Sequence, residues 1–140
     1  ELNPSLHEDV ITVPGPSALL GLWPEVENGL LIGLLGDRPM PGERTLTCSF
    51  LGESALFPTT ASYVADILEI PLLQFFCLKR HWGRYDIIFE PLCFETGGPR
   101  DEREQRIRHL TERYARNLEV HAKQAPYNWF NFHDVWDVAP

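Results

Sequence analysis

An aspartate and an arginine stand side by side after an apolar run, and they are the first candidates for chemistry in this chain. Asp37 and Arg38 follow Leu30 to Leu35, which is typical of a strand covered on both faces. In open α/β sheets, ligands bind beyond the carboxyl ends of the strands, so the pair is well placed for a site. The alternative is a salt-bridged pair that shapes the next turn, in which Pro41 and Gly42 would be the central residues of a type II turn.

Two threonines stand at the predicted start of a helix. Free backbone N–H groups and the helix dipole at such a position favour a bound phosphate or carboxylate, which makes Thr59 and Thr60 candidate substrate-binding residues. Arg44, at the start of the preceding strand, is a third candidate for substrate binding. Simple capping of the helix by either threonine is the alternative explanation.

One histidine has the spacing of a general-base dyad. His81 and Asp86 form a His-x4-Asp motif, and across a tight hairpin they would face each other, so the carboxylate would orient the imidazole. However, the chain has 5 histidines and 20 acidic residues, so a chance match of this spacing is expected. The tip of a hairpin is also exposed. We therefore favour a structural, non-catalytic interpretation of His81.

The elements that must position these residues alternate between strands and helices, which indicates the α/β class. We predict a mixed, largely parallel sheet flanked by helices, with a long C-terminal helix, in a single domain spanning residues 1–140. The predicted strands are Val10 to Val13, Leu30 to Leu35, Arg44 to Phe50, Ser54 to Phe57, Leu72 to Leu78 and Tyr85 to Pro91, with a turn at Trp82-Gly83-Arg84. The predicted helices are Ser17 to Asn28, Thr59 or Thr60 to about Glu69, and Asp101 to Lys123. The last helix carries an apolar stripe at helical spacing, made of Ile107, Leu110, Tyr114, Leu118 and His121.

Composition excludes several classes of protein. The net charge of −8 and the isoelectric point near 5.0 argue against a nucleic-acid partner, which needs a basic face. No apolar run approaches the roughly 18 residues of a membrane-spanning helix. Cys48, Cys77 and Cys93 lack metal-ligand spacing, and we predict that they are reduced core residues. We expect neither a metal nor a cofactor.

Four segments, taken in order, resemble the bacterial lipid A biosynthesis (lauroyl/myristoyl) acyltransferase family. They are GLLIGLLGDRPMPGERTLTCSFLG, ALFPTTASYVADILEIPLLQFF, LKRHWGRYDIIFEPL and the closing QAPYNWFNFHDVW. Each segment alone is a weak match, but four in the right order are fairly specific. The closing NWFNF…W is similar to a subgroup of predicted acyltransferases that is associated with glycolipid or aryl-polyene lipid pathways.

The resemblance implies transfer of a fatty acyl chain from acyl carrier protein to a hydroxyl of a lipid or glycolipid, at the cytoplasmic face of the bacterial inner membrane. Asp37 and Arg38 carry over as site residues, with Arg38 holding an anionic group and Asp37 positioning it or the acceptor. The family's catalytic His-x4-Asp/Glu lies upstream of the segment that matches Asp37, so the chain resembles the C-terminal portion of such an enzyme. We therefore expect this fragment to be soluble and inactive alone.

Two further expectations follow from the same resemblance. Contact with the membrane would come from the missing part or from the aromatic tail, Pro126 to Trp136. The alternative function is a non-catalytic binding or regulatory domain that keeps the acyltransferase fold.

Overall fold

The computed structural model describes residues 21, 23–29, 31–131 and 134–136, and it divides the chain into two units, residues 1–32 and 33–140. The described part of the first unit contains one short helix, α1, at Trp23–Glu27. This helix lies within the predicted helix Ser17 to Asn28, and Gly29 follows it with a φ of +91°. The predicted strand Val10 to Val13 lies outside the described residues.

The second unit contains two hairpins and two helices. The first hairpin is separated from the second by a helix of 9 residues, and a helix of 22 residues follows both. In chain order the elements are β1 (Thr45–Phe50), β2 (Glu53–Pro58), α2 (Thr60–Leu68), β3 (Leu72–His81), β4 (Arg84–Cys93) and α3 (Arg103–Gln124). Short 3-10 turns at Arg100–Glu102 and Pro126–Asn128 precede and follow α3.

The predicted parallel sheet is wrong. In the described residues, β1 pairs with β2 and β3 pairs with β4, and each pair is a separate antiparallel sheet of two strands. The physical reason is that tight turns join the partners, at Leu51-Gly52 and Trp82-Gly83, and a two-residue turn can join only antiparallel strands. Gly83 supplies the positive φ of +72° that such a turn needs.

The interpretation of the apolar run before Asp37 as a buried strand is also wrong. Residues 31–35 form no strand, and Leu35 is 76% exposed. A short apolar run is compatible with a buried strand, but hydrophobicity alone does not provide a neighbour for it to pair with. Asp37 therefore follows a loop rather than the end of a strand.

Helix α3 supports the core of the second unit. Its Ala115 is fully buried, and Leu118 and Ala122 are nearly so. Against this face pack the inward side chains of the first hairpin and Phe76 of β3. The buried aromatic rings Phe50 and Phe57 meet edge to face with centroids 5.5 Å apart. The buried residues of this core are Cys48, Phe50, Ala55, Phe57, Phe76, Ala115, Leu118, Ala122 and Val135.

The second hairpin has one covered face and one open face. In β3, Gln74, Phe76 and Leu78 are buried, while the side chains between them are exposed. We call the open side the outer face; it carries Leu73, Phe75 and Cys77 of β3 and Tyr85, Ile87 and Phe89 of β4.

The cysteines do not share one environment. Cys48 is buried, and burial, aided by the charge of Glu112, raises the pKa of its thiol to about 11. Cys93 is half-buried, and its Sγ donates to the carbonyl of Glu95 at 2.9 Å. Cys77 is exposed, so the prediction that it is a core residue is wrong. Strand alternation explains the error, because Cys77 lies one residue after the buried Phe76 and points to the opposite face.

One buried carboxylate links α2 to α3. Asp66 has a side chain only 1% exposed, and it accepts hydrogen bonds from Arg103 Nε at 2.8 Å and from Arg106 Nε at 2.6 Å. Burial by itself would raise the pKa of Asp66, but the hydrogen bonds from the two arginines hold this pKa below its ordinary value. Arg106 also donates to the carbonyl of Pro99 at 2.9 Å, which ties the start of α3 to the preceding loop.

Replacing Asp66 by Asn should destabilise the chain by about 3 kcal/mol at neutral pH, because two arginines lose their buried anionic partner. The folded-state pKa of Asp66 is lowered, so its contribution is fully present above the unfolded-state pKa and is lost as pH falls through the folded-state value. Wild type should therefore lose more stability than Asp66→Asn between about pH 5 and pH 2. Urea unfolding of both proteins across this range measures the difference, and parallel curves would contradict the assignment.

Candidate functional site

Asp37 is fixed by a residue far along the chain. Its Oδ2 accepts a hydrogen bond from Trp129 Nε1 at 3.2 Å. The indole of Trp129 in turn packs edge to face on the buried ring of Phe50, with centroids 5.0 Å apart. The Asp37 carboxylate is thus partly buried and oriented by the segment that follows α3.

A tyrosine of α3 lies beside the same carboxylate. Burial, together with the negative charge of Asp37, raises the pKa of Tyr114 well above its ordinary value, so the phenol keeps its proton at neutral pH. The ring packs directly on the backbone before Asp37, since a Cβ built on Gly36 would lie only 2.7 Å from Tyr114 Cζ. Glycine at this position therefore permits the close approach between the loop and α3.

Arg38 has a different environment from its neighbour. It is exposed, and within the described residues its side chain has no hydrogen bond or ion pair, with Asp37 or with any other residue. The following turn is held by other groups: Glu43 N donates to Met40 O at 2.9 Å, and Gly42 has the positive φ of +77° that a type II turn requires. A salt bridge between Asp37 and Arg38 therefore does not shape this turn.

The three candidate substrate-binding residues all make internal contacts. Arg44 forms a two-pronged ion pair with Glu104, with N–O distances of 3.0 and 2.8 Å. Thr59 is buried, and its hydroxyl donates to the carbonyl of Arg44 at 3.1 Å. The Thr60 hydroxyl donates to the carboxylate of Glu43, so a carboxylate of the protein itself lies at the start of α2.

Helix α2 begins where the sequence predicts, although neither threonine caps it. Thr59 is the N-cap residue, but no side-chain hydrogen bond caps the helix there. Glu69 closes the helix in the left-handed conformation.

His81 and Asp86 do not form a dyad, so the expectation that they face each other is wrong. A turn at Gly83-Arg84 would have placed them face to face, but the turn residues are Trp82 and Gly83, so His81 lies opposite Arg84 and Asp86 lies opposite Leu78. The Asp86 carboxylate instead accepts a hydrogen bond from Arg80 Nε at 2.8 Å.

A different histidine has a carboxylate partner, and the sequence reasoning assigned it only to the apolar stripe of α3. His121 Nε2 lies 3.1 Å from Glu90 Oε1, and Gln74 Nε2 donates to Glu90 Oε2 at 2.7 Å. The imidazole is 8% exposed and packs on Phe76 with ring centroids 4.2 Å apart. Because a substrate hydroxyl cannot reach a ring covered in this way, we interpret the pair as a structural link between α3 and the second hairpin.

A groove of about 540 Å³ lies elsewhere, between α2, the end of β4 and the first half of α3. Both acidic and basic side chains line the groove. One of the basic side chains, Arg106, already donates a hydrogen bond to Asp66. None of Asp37, Arg38, Arg44, Thr59 and Thr60 lines it. The groove and the Asp37 site are therefore separate places on the molecule.

Among the described residues, no three histidine, cysteine or acidic side chains cluster as a metal site would require. In the same part of the chain, no helix combines the length and the apolar character needed to cross a bilayer.

The model of the bacterial lipid A biosynthesis acyltransferase family matches residues 9–137 of this chain. The match covers nearly the whole sequence, and the chain belongs to this family. It is thus a domain of the lipid A acyltransferase type, and its family implies a lipid-type acceptor. Neither the curated proteins nor the solved structures gave a match.

Gly36→Ala should destabilise the chain by about 1–3 kcal/mol, because the new methyl group would overlap the ring of Tyr114. Gly33→Ala is the matched control, since a Cβ there meets no atom within 4 Å. Chemical unfolding of both variants measures the difference. Equal stability of the two would show that the loop does not pack on α3 as described.

Proposed function

We propose that this domain works in an acyltransferase that moves a fatty acyl chain from acyl carrier protein to a hydroxyl of a lipid or glycolipid, and that Asp37 and Arg38 bind the reacting groups. The proposal rests on the different environments of these two adjacent side chains. Asp37 is oriented by Trp129, while the adjacent Arg38 is exposed and has no internal partner among the described residues.

The Arg38 guanidinium, which has no partner among the described residues, is suited to an anionic group. An arginine can hold a phosphate or carboxylate with two parallel hydrogen bonds, and this geometry is not available to lysine. Lipid and glycolipid acceptors commonly carry such groups, so Arg38 would bind the acceptor or the donor by its anion. Arg44 is a weaker candidate, because Nη1 and Nη2 of its guanidinium already donate hydrogen bonds to the carboxylate of Glu104.

Asp37 is suited to positioning. Trp129 fixes one carboxylate oxygen, Oδ2, and thereby sets the direction of the other, Oδ1. That second oxygen would accept a hydrogen bond from the acceptor or from the group that Arg38 holds. The protonated phenol of Tyr114 beside it adds no charge to the site.

The transfer requires a base that these residues do not supply. The acceptor oxygen forms a bond to the thioester carbonyl carbon, the carbon–sulfur bond breaks, and the base passes the acceptor proton to the sulfur, which leaves as a thiol. Among the described residues, Asp37 has no hydrogen bond or ion pair with a histidine, and His81–Asp86 is not a dyad. We therefore propose that the chain alone does not turn over and that the base comes from a part of the enzyme beyond this site.

Arg38→Ala in an enzyme that carries this domain should lower kcat/KM at least about tenfold, the loss expected for a charge-assisted hydrogen bond. Arg38→Lys should also be impaired, because lysine lacks the planar fork. Arg100→Ala, at an exposed position in the 3-10 turn before α3, is the control. Acyl transfer and thermal melts are measured on the same preparations. Unchanged turnover per folded molecule for both Arg38 variants would remove this residue from the site.

The purified chain should give no thiol release from acyl carrier protein thioester in the presence of a lipid acceptor, beyond a buffer control. The physical reason is that acceptor positioning and proton removal must act together for transfer. Release above the control that survives in the His81→Ala variant would show that an unassigned base is present. Release that His81→Ala abolishes would restore the histidine at the hairpin tip as the base.

The alternative proposal is a non-catalytic binding or regulatory domain that keeps the acyltransferase fold. It makes a different forecast for the same variants, since binding of an anionic ligand would still need Arg38 while the rate of acyl transfer would not. Ligand-induced shifts of the melting temperature, measured beside the transfer assay, separate the two functions.

A further inference from the structure

The outer face of the second hairpin is a continuous apolar surface. Phe75 and Phe89 are 63% and 67% exposed, and their ring centroids lie 5.8 Å apart. Tyr85 and Ile87 are each 58% exposed beside them, and Trp82 at the tip of the hairpin is 97% exposed. The four aromatic rings together expose on the order of 600 Å², taking about 200 Å² for each ring. An exposed apolar patch of this size marks an interaction surface.

The two ends of this hairpin carry opposite charges. At the tip, Lys79 and Arg84 are exposed, and within the described residues neither forms an ion pair. At the opposite end, which we call the base, Glu69 precedes β3 and Glu95 follows β4. Both glutamates are exposed, and they also lack an ion pair in the part of the chain that the structure describes. The apolar face therefore lies between a cationic tip and an anionic base.

A surface with this pattern is complementary to itself. If a second copy lies on the face with its hairpin running in the opposite direction, the tip of each molecule comes against the base of the other, and both charge contacts are attractive. A two-fold axis produces this arrangement and makes the two contacts identical. Two sheets that pack face to face lie about 10 Å apart and enclose the side chains of their facing surfaces.

We propose that the outer face of the second hairpin binds a second copy of this chain, with the two hairpins packed face to face and running in opposite directions. The inference goes beyond the proposed acyl transfer, because it rests on exposure and charge alone. A standard protein interface buries about 800 Å² on each partner. The aromatic rings supply most of this area, and Leu73, Cys77 and Ile87 lie exposed on the same face.

The net charge of −8 opposes association at long range but does not prevent this contact. Charges farther apart than about 8 Å are largely screened at physiological ionic strength. Ile70 to Tyr85 contains no acidic residue. The two acidic residues of β4 have partners in the same hairpin, Asp86 with Arg80 and Glu90 with Gln74. Between its tip and its base, the described hairpin therefore carries no unpaired carboxylate that would repel a second copy.

The two-fold arrangement makes a specific forecast for Cys77. This exposed residue lies near the middle of β3, where it pairs with Ile87 of β4. When each tip meets the other base, the middle of one hairpin lies against the middle of the other, so the two Cys77 thiols lie on facing surfaces. A reagent with two maleimides about 10 Å apart would join them, since this is the spacing of packed sheets.

The first test is the oligomeric state of the 140-residue chain in sedimentation equilibrium, which requires no acyl transfer and is independent of the proposed function. The tip variant Lys79→Glu/Arg84→Glu makes the tip anionic, and the base variant Glu69→Lys/Glu95→Lys makes the base cationic. In either variant alone, both end contacts of the dimer become repulsive. In an equimolar mixture, the anionic tip of one variant meets the cationic base of the other, and the second contact is native.

We expect wild type to form a dimer. The tip and base variants should each dimerise at least about tenfold more weakly, because like charges then face each other at both ends. Their equimolar mixture should regain the affinity of wild type within about threefold. Arg100→Glu/Arg116→Glu makes the same change of net charge as the tip variant at exposed positions outside the hairpin, and it should weaken the dimer by about threefold at most.

Cross-linking with the bis-maleimide is measured on wild type and on two cysteine variants. A covalent dimer should form in wild type and in Cys93→Ser, and it should be absent in Cys77→Ser. Far-ultraviolet circular dichroism confirms that each charge variant is folded. If a charge variant does not fold, the cross-linking result decides the question together with Phe89→Ser, which removes a ring of the face and should weaken the dimer at least about tenfold.

Four results would overturn the proposal. They are a wild-type chain that stays monomeric at its highest soluble concentration, equal losses in the tip variant and in the Arg100/Arg116 control, a mixture of the tip and base variants that stays monomeric, and a dimer that Cys77 does not cross-link. If the chain stays monomeric and phospholipid vesicles slow the alkylation of Cys77, a lipid surface covers the face instead of a second copy.

Discussion

The packing of two hairpins against α3 is the constraint on which the rest of the structure depends. A two-stranded sheet is at best marginally stable in water by itself, and within the described residues each strand of the two hairpins has only one partner strand. Helix α3 supplies the missing layer: its small residues Ala115 and Ala122 let the first hairpin approach, and His121 contacts the second. The ion pairs of Asp66 then fix α2 to the start of the same helix.

The candidate site is a consequence of this arrangement. The loop that carries Asp37 contains no strand or helix of its own between residues 31 and 44, so its position depends on what it touches. Tyr114 of α3 packs against Gly36, and Trp129, just beyond the end of α3, holds the carboxylate. Helix α3 thereby fixes the position of the loop. Binding residues are commonly held in this way, on loops that a rigid scaffold positions. Arg38 is left at the surface next to this fixed point.

Local patterns predicted the local structure well and failed where partners are distant. Alternation and turn residues located all four strands of the hairpins, and the apolar stripe from Ile107 to His121 located α3. The hairpin of β3 and β4 was predicted from its turn, whereas the parallel sheet was wrong, because a buried apolar run and an exposed one look the same without knowledge of what covers them. For the site, the sequence singled out Asp37 but not Trp129, which is 92 residues away and has no periodic relation to it.

Cys77 has a free, exposed thiol, so the rate of a chemical reaction at this residue can show whether the outer face is covered. The thiol is exposed among aromatic side chains, whereas burial raises the pKa of Cys48 to about 11 and so suppresses its thiolate. An alkylating reagent would therefore reach Cys77 far faster than Cys48 while the face is open. Anything that lies on the face slows that reaction, so the labelling rate of a single residue reports when the hairpin is occupied.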